Sequence, residues 1–157
     1  MTSIRDRLAD PAFYSLPFFL AFALSVVMLA TDKNLQTNFG TVSSGYYFHW
    51  YVVLVTAVAE IAGAVLLLVV RSRAAFIGGV IGSGLLAAIF LGDIFAYSQV
   101  GFSSMTDFAN YLFGITYYGG NIRYLYDVLL AVYLATFLFG LVALALTRRP
   151  RASPPRA

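Results

Sequence analysis

Tyr51–Val70 reads YVVLVTAVAEIAGAVLLLVV: twenty residues, apolar or small except for Thr56, with one carboxylate at the midpoint, Glu60. A run of about 20 such residues is what a helix needs to cross a hydrocarbon core of about 30 Å. Glu60 then lies roughly 15 Å from either end at 1.5 Å per residue. An ionisable group at that depth costs about 2.5 kcal/mol or more, and such groups face a bundle interior or a wet cavity. The stretch therefore predicts a membrane-spanning helix with its carboxylate turned inward, and the remaining spans are the housing around it.

Composition agrees. Of 157 residues, 61% are hydrophobic and 11% are charged, and the mean hydropathy is +0.82. A soluble domain carries about 25% charged residues. The length allows one membrane domain, 1–147, followed by a basic, proline-rich tail at 148–157 that is expected to be disordered. The absence of cysteine excludes a disulfide framework, an iron–sulfur cluster and a thiol relay. The formal charge of +3 comes mostly from arginines at span ends, so it reports orientation and not a nucleic-acid surface.

Four spans are predicted, at about 13–31, 50–70, 74–97 and 122–146, which makes an all-α, integral-membrane four-helix bundle. Pro11 is placed to open the first helix, and Arg71-Ser72-Arg73 leaves room only for a tight hairpin. In the second outer loop, Ser104, the acidic turn of MTDFANYLF and Gly114 predict a short helix lying in the interface. Eight arginines (5, 7, 71, 73, 148, 149, 151 and 156) fall on one side, against Lys33 and Arg123 on the other. That imbalance places both termini in the cytoplasm of a multi-pass cell-membrane protein. Nine of eleven tyrosines fall on the outer side, an aromatic cap with packing or binding duties. In the third span, Gly78-xxx-Gly82 and Gly79-xxx-Ser83-xxx-Ala87 lie at helical spacing, which lets helix backbones approach closely. A packing seam within the monomer is the first expectation, and a dimer seam the second.

The polar residues inside the slab can be compared by depth. Asp93 lies about 6 Å below the outer end of the third span at Tyr97, and Asp127 about 6 Å below the start of the fourth. Arg123 and Asp127, four apart, are in helical contact range. An Asp93–Arg123–Asp127 cluster would have two carboxylates sharing one cation, and reads first as a structural pin. His49 and Glu60 are eleven apart, about 20° out of register, so they share a stripe with Val53, Thr56 and Gly63. Facing these stripes inward predicts a pocket open to the outside or the outer leaflet. His49 stands at its mouth, the Asp–Arg group lies in the outer third, and Glu60 forms the floor. Glu60 is expected to be protonated or hydrogen-bonded to Thr56, Tyr133 or a ligand. His49, between Phe48 and Trp50, reads as an interfacial anchor. As the only histidine of a cysteine-free chain, it makes neither a bis-histidine haem nor a zinc site by itself. No metal, and no cofactor held by the chain's own ligands, is expected. There is no nucleophile–base pair, phosphate loop or nucleic-acid patch, so no catalytic residue is assigned.

The run Glu60-Ile61-Ala62-Gly63-Ala64-Val65-Leu66-Leu67-Leu68, a short turn, then Arg73-Ala74-Ala75 and a glycine- and alanine-rich third span resembles the DoxX-like proteins. The second helix of that family carries Glu-x-x-Gly-Gly/Ala followed by leucines, then a basic turn and a small-residue helix. Lys33, after the first span, is similar to a lysine of the family. The resemblance implies four helices and membership of a redox complex, such as the quinone-reducing thiosulfate oxidoreductase. A quinone head group would then occupy the pocket under Tyr97 and Tyr124, with Glu60 or Asp93 exchanging the proton.

Three functions are therefore expected. The first is a small subunit of a larger membrane assembly, a respiratory or other redox complex, with other subunits or a second copy as partners within the bilayer. The second is a proton-coupled transporter or channel working as an oligomer, with Glu60 as the coupling carboxylate. The third is a structural scaffold whose tyrosine-rich face binds an external partner.

Overall fold

The computed structural model describes residues 9–31, 36, 47–98 and 122–147, with side chains for all of these except 47–50, 93–98 and 122–124. They form four helices: α1 (Pro11–Thr31), α2 (Tyr47–Val70), α3 (Arg73–Ser98) and α4 (Ile122–Leu146). All four are long and apolar enough to cross a membrane. The predicted spans match them to within three residues at every end. The expected interfacial helix at 104–114 and the tail at 148–157 lie outside the described residues.

Local chemistry sets the helix ends. Asp10 caps α1, its carboxylate accepting from the Ala12 N–H at 2.9 Å, and Pro11 occupies the first helical position, where no N–H is needed. Between α2 and α3 the chain turns on Arg71 and Ser72 alone. Arg71 takes a left-handed φ of 45°, the conformation glycine usually supplies at a helix C-terminus, and its Nε donates to the Leu68 carbonyl at 2.9 Å. Ser72 then caps α3, its hydroxyl accepting from the Ala75 N–H at 3.1 Å.

The helices close into a ring. α1 packs mainly on α2 and α3 mainly on α4, the α1–α4 and α2–α3 contacts complete the circuit, and α1 also touches α3 across the centre. On each helix one stripe of buried positions recurs at alternating steps of four and three. They are Tyr14, Phe18, Ala21, Ser25 and Met28 on α1, and Val53, Ala57, Glu60, Ala64 and Leu67 on α2. On α3 they are Phe76, Val80, Ser83, Ala87 and Phe90, and on α4 Tyr126, Leu129, Tyr133, Thr136, Gly140 and Ala143. A mean step of 3.5 residues is the period of left-handed helix packing. The opposite faces expose Val55, Val58, Val69, Leu85, Leu138 and Val142, each by more than half. In water that much apolar surface would mark a binding face. On helices of this length it is the surface that meets lipid tails.

Glycines on the packed faces are spacers. A Cβ on Gly140 would stand 2.5 Å from both the Tyr14 hydroxyl and Val80 Cγ2, and one on Gly84 would stand 2.9 Å from the Phe137 ring. At Gly79 it would meet Leu67 at 3.0 Å and Tyr14 at 3.1 Å. Gly78 differs, because a Cβ there would meet nothing within 4 Å.

Candidate functional site: a carboxyl group at the centre of the bundle

Glu60 occupies one of the packed positions of α2 and is fully buried, with 0% of its surface exposed. Two hydroxyls reach it from two other helices. Ser25 of α1 donates to Glu60 Oε1 at 3.1 Å, and the Tyr133 hydroxyl of α4 donates to the same oxygen in a short hydrogen bond. Glu60 Oε2, equally buried, has no hydrogen-bond partner among the described residues. Buried polar atoms are paired in the great majority of cases, so an orphaned carboxyl oxygen calls for an explanation.

Ser25 has given up its ordinary bond to serve this site. A serine or threonine inside a helix usually returns its proton to a carbonyl three or four residues back. Ser15 does so to Ala12, Thr56 to Val52, Ser83 to Val80 and Thr136 to Val132. Ser25 instead crosses to Glu60. Tyr133 is held in place by Phe90, whose ring meets it edge-on at 5.1 Å and stacks on Tyr126 at 4.3 Å. With Tyr133 these rings form an aromatic column, and Phe90, seventeen residues into α3, lies farther than Glu60 from the Arg71-Ser72 turn.

A second polar node lies nearer that turn. The Tyr14 hydroxyl donates to the Thr136 carbonyl at 2.7 Å and lies 3.2 Å from Ser83 Oγ. It ties α1, α3 and α4, as Glu60 ties α2 to α1 and α4. Tyr14 is wedged between the Phe76 and Phe139 rings, and Gly140 provides the room its hydroxyl needs.

The expected outer pocket can be followed only in part. His49 lies in the first turn of α2, Asp93 and Tyr97 near the end of α3, and Arg123 and Tyr124 in the first turn of α4; the side chains of all five lie outside the described residues. Asp127 is half-buried and partnered. Of the three expected partners of Glu60, Tyr133 bonds to it, while Thr56 spends its proton on its own helix. The small-residue stripes of α3 divide. Ser83 is buried and Gly79 packs on Leu67 and Tyr14, whereas Gly78 stands in the open; Gly78, Gly79 and Gly82 all line an apolar groove of about 280 Å³ between α2 and α3, with Ala59, Gly63, Leu66 and Leu85. Sequence reasoning did not single out Ser25, Phe90, Tyr14 or Gly140. The signal was present in the 4–3 spacing that puts Ser25 seven residues after Phe18 and Tyr133 seven after Tyr126.

The arrangement offers a single acid in a dry setting. The basic side chains described, Arg71 and Arg73, are exposed at the turn, eleven and thirteen residues from Glu60, or about 16–20 Å along a helix. Among the described residues no group of three or more histidine or acidic side chains is gathered to hold a metal. No protein-family model matches the chain, and neither a curated protein nor a solved structure matches it.

Proposed function

We propose that the chain is a small integral-membrane subunit of a larger membrane assembly and that Glu60 is its proton-exchanging group. The observation that carries this reading is the lopsided hydrogen bonding of Glu60, with two donors on Oε1 and none on Oε2. A pin between helices has no need of an acid, since an amide accepts the same two bonds without the penalty of an ionisable group in the bilayer. A group that must take up and release a proton does need one.

The DoxX-like resemblance supports a redox assembly of the cell membrane in which a quinone head group exchanges the proton with Glu60. The arginine count supports cytoplasmic termini. Extraction from the native membrane in mild detergent tests the reading. Partner chains and copurified quinone are expected, and migration as a lone, quinone-free monomer would overturn it. In the assembly, Glu60→Gln should keep both hydroxyl bonds and the fold while lowering proton-linked turnover about 100-fold or more. Unchanged turnover would remove Glu60 from the mechanism.

Gly78 and Gly82 favour a second reading, an oligomeric proton-coupled transporter, because they line a groove that the other described residues leave open. It requires pH-dependent flux in liposomes that Glu60→Gln abolishes, and flux indifferent to that substitution would end it.

A further inference from the structure

The geometry points to Glu60 Oε2 as one pole of a site for a dehydrated monovalent cation, at which Na⁺ competes with H⁺. This rests on the reading of Glu60 as an exchange site and names a second species that it exchanges.

Three observations carry it. The first is the orphaned oxygen itself, wholly buried and facing no donor among the described residues. The second is the charge count. One carboxyl carries at most one negative charge, and no described basic side chain is near enough to balance it. Among the described residues no side chain balances it, and a species that does so from outside carries a single positive charge. A divalent ion would leave net charge in the bilayer, and Ca²⁺ takes six to eight oxygens.

The third is the donor chemistry. The atoms around Glu60 are oxygens from three helices: Ser25 Oγ, the Tyr133 hydroxyl and, one turn away on α2, Thr56 Oγ1. Each hydroxyl has one proton to give, and all three protons are already committed, to Glu60 Oε1 or to the Val52 carbonyl. Their remaining lone pairs can only accept, and they suit a hard cation. The titratable groups packed toward Glu60 are few. α4 presents Tyr133 and, beyond Phe90, the buried Tyr126, α1 presents Tyr14 in the neighbouring polar layer, and the described side chains of α3 present none.

Labelling with dicyclohexylcarbodiimide tests the inference on the full chain in membranes, read by intact mass. This membrane-soluble reagent adds to the protonated acid and not to the carboxylate. Wild-type protein should be labelled at Glu60 at low pH and progressively less as pH rises, and Glu60→Gln should not be labelled. At fixed pH, NaCl should slow labelling relative to choline chloride, about tenfold once Na⁺ stands at about ten times its dissociation constant. Ser25→Ala should still be labelled but require more Na⁺ for the same protection. Labelling that falls with pH but is equal in NaCl and choline chloride would overturn the cation site and leave proton exchange standing. A wild-type chain that resists the reagent at every pH would overturn both.

Discussion

Gly140→Ala is expected to destabilise the bundle by about 1–3 kcal/mol, although alanine is the better helix former by about 1 kcal/mol. The added methyl would stand 2.5 Å from the Tyr14 hydroxyl and from Val80 Cγ2. Neither neighbour yields cheaply. Val80 is buried against the core, and the Tyr14 hydroxyl is fixed by its 2.7 Å bond to the Thr136 carbonyl. Moving it breaks a bond between α1 and α4 in a medium with no water to replace it. Gly78→Ala is the matched control. Its methyl meets nothing within 4 Å, so the helix-propensity gain should appear undiminished. Unfolding by titration with a denaturing detergent measures both, and equal shifts for the two variants would refute the packing around Tyr14.

Phe90→Ala is expected to cost about 2 kcal/mol and to loosen Tyr133. In lipid the transfer of an aromatic ring out of water drops out of the balance, since the unfolded reference is also apolar. The void remains. A cavity on the order of 100 Å³ at about 24 cal/mol per Å³ gives the figure quoted. Phe90 is 0% exposed and touches both Tyr126 and Tyr133, so its loss removes the wall that aims the Tyr133 hydroxyl at Glu60. Phe90→Leu should restore most of the stability by refilling the space. Tyrosine fluorescence and the unfolding midpoint read the two effects, and an unchanged midpoint for Phe90→Ala would show that the column is not packed.

How far the sequence carries can be judged at particular residues. The four spans were legible because a bilayer permits few alternatives: apolar runs of this length become helices, and Asp10, Pro11 and Ser72 mark ends with cap chemistry. Glu60 was legible as an inward-facing group because its depth makes any other direction costly, and Tyr133 was among the partners expected for it. Ser25 was not, since a helical serine normally bonds its own backbone and only the fold shows that this one does not. Tyr14 was not singled out either, since it is buried through the room that Gly140, 126 positions later, makes for it. The two glycine stripes of α3 are one residue apart, about 100° around the helix, and composition does not say which one turns inward. The structure packs Gly79 and Ser83 against the other helices and leaves the space above Gly78 open. His49, Asp93, Tyr97, Arg123 and Tyr124 were legible as a set of polar and aromatic groups near the helix ends, and their side chains fall outside the described residues.

Cysteine crosslinking across α1 and α2 measures most directly whether the carboxyl group of α2 faces the interior. The chain has no cysteine of its own, so every pair introduced is read against a silent background. With a short bifunctional thiol reagent in membranes, Ser25→Cys combined with Glu60→Cys should crosslink in high yield. Val26→Cys, one residue on and 44% exposed, should not crosslink when combined with the same partner. Efficient joining of the Val26 pair and none of the Ser25 pair would turn Glu60 toward lipid and contradict the site built around it.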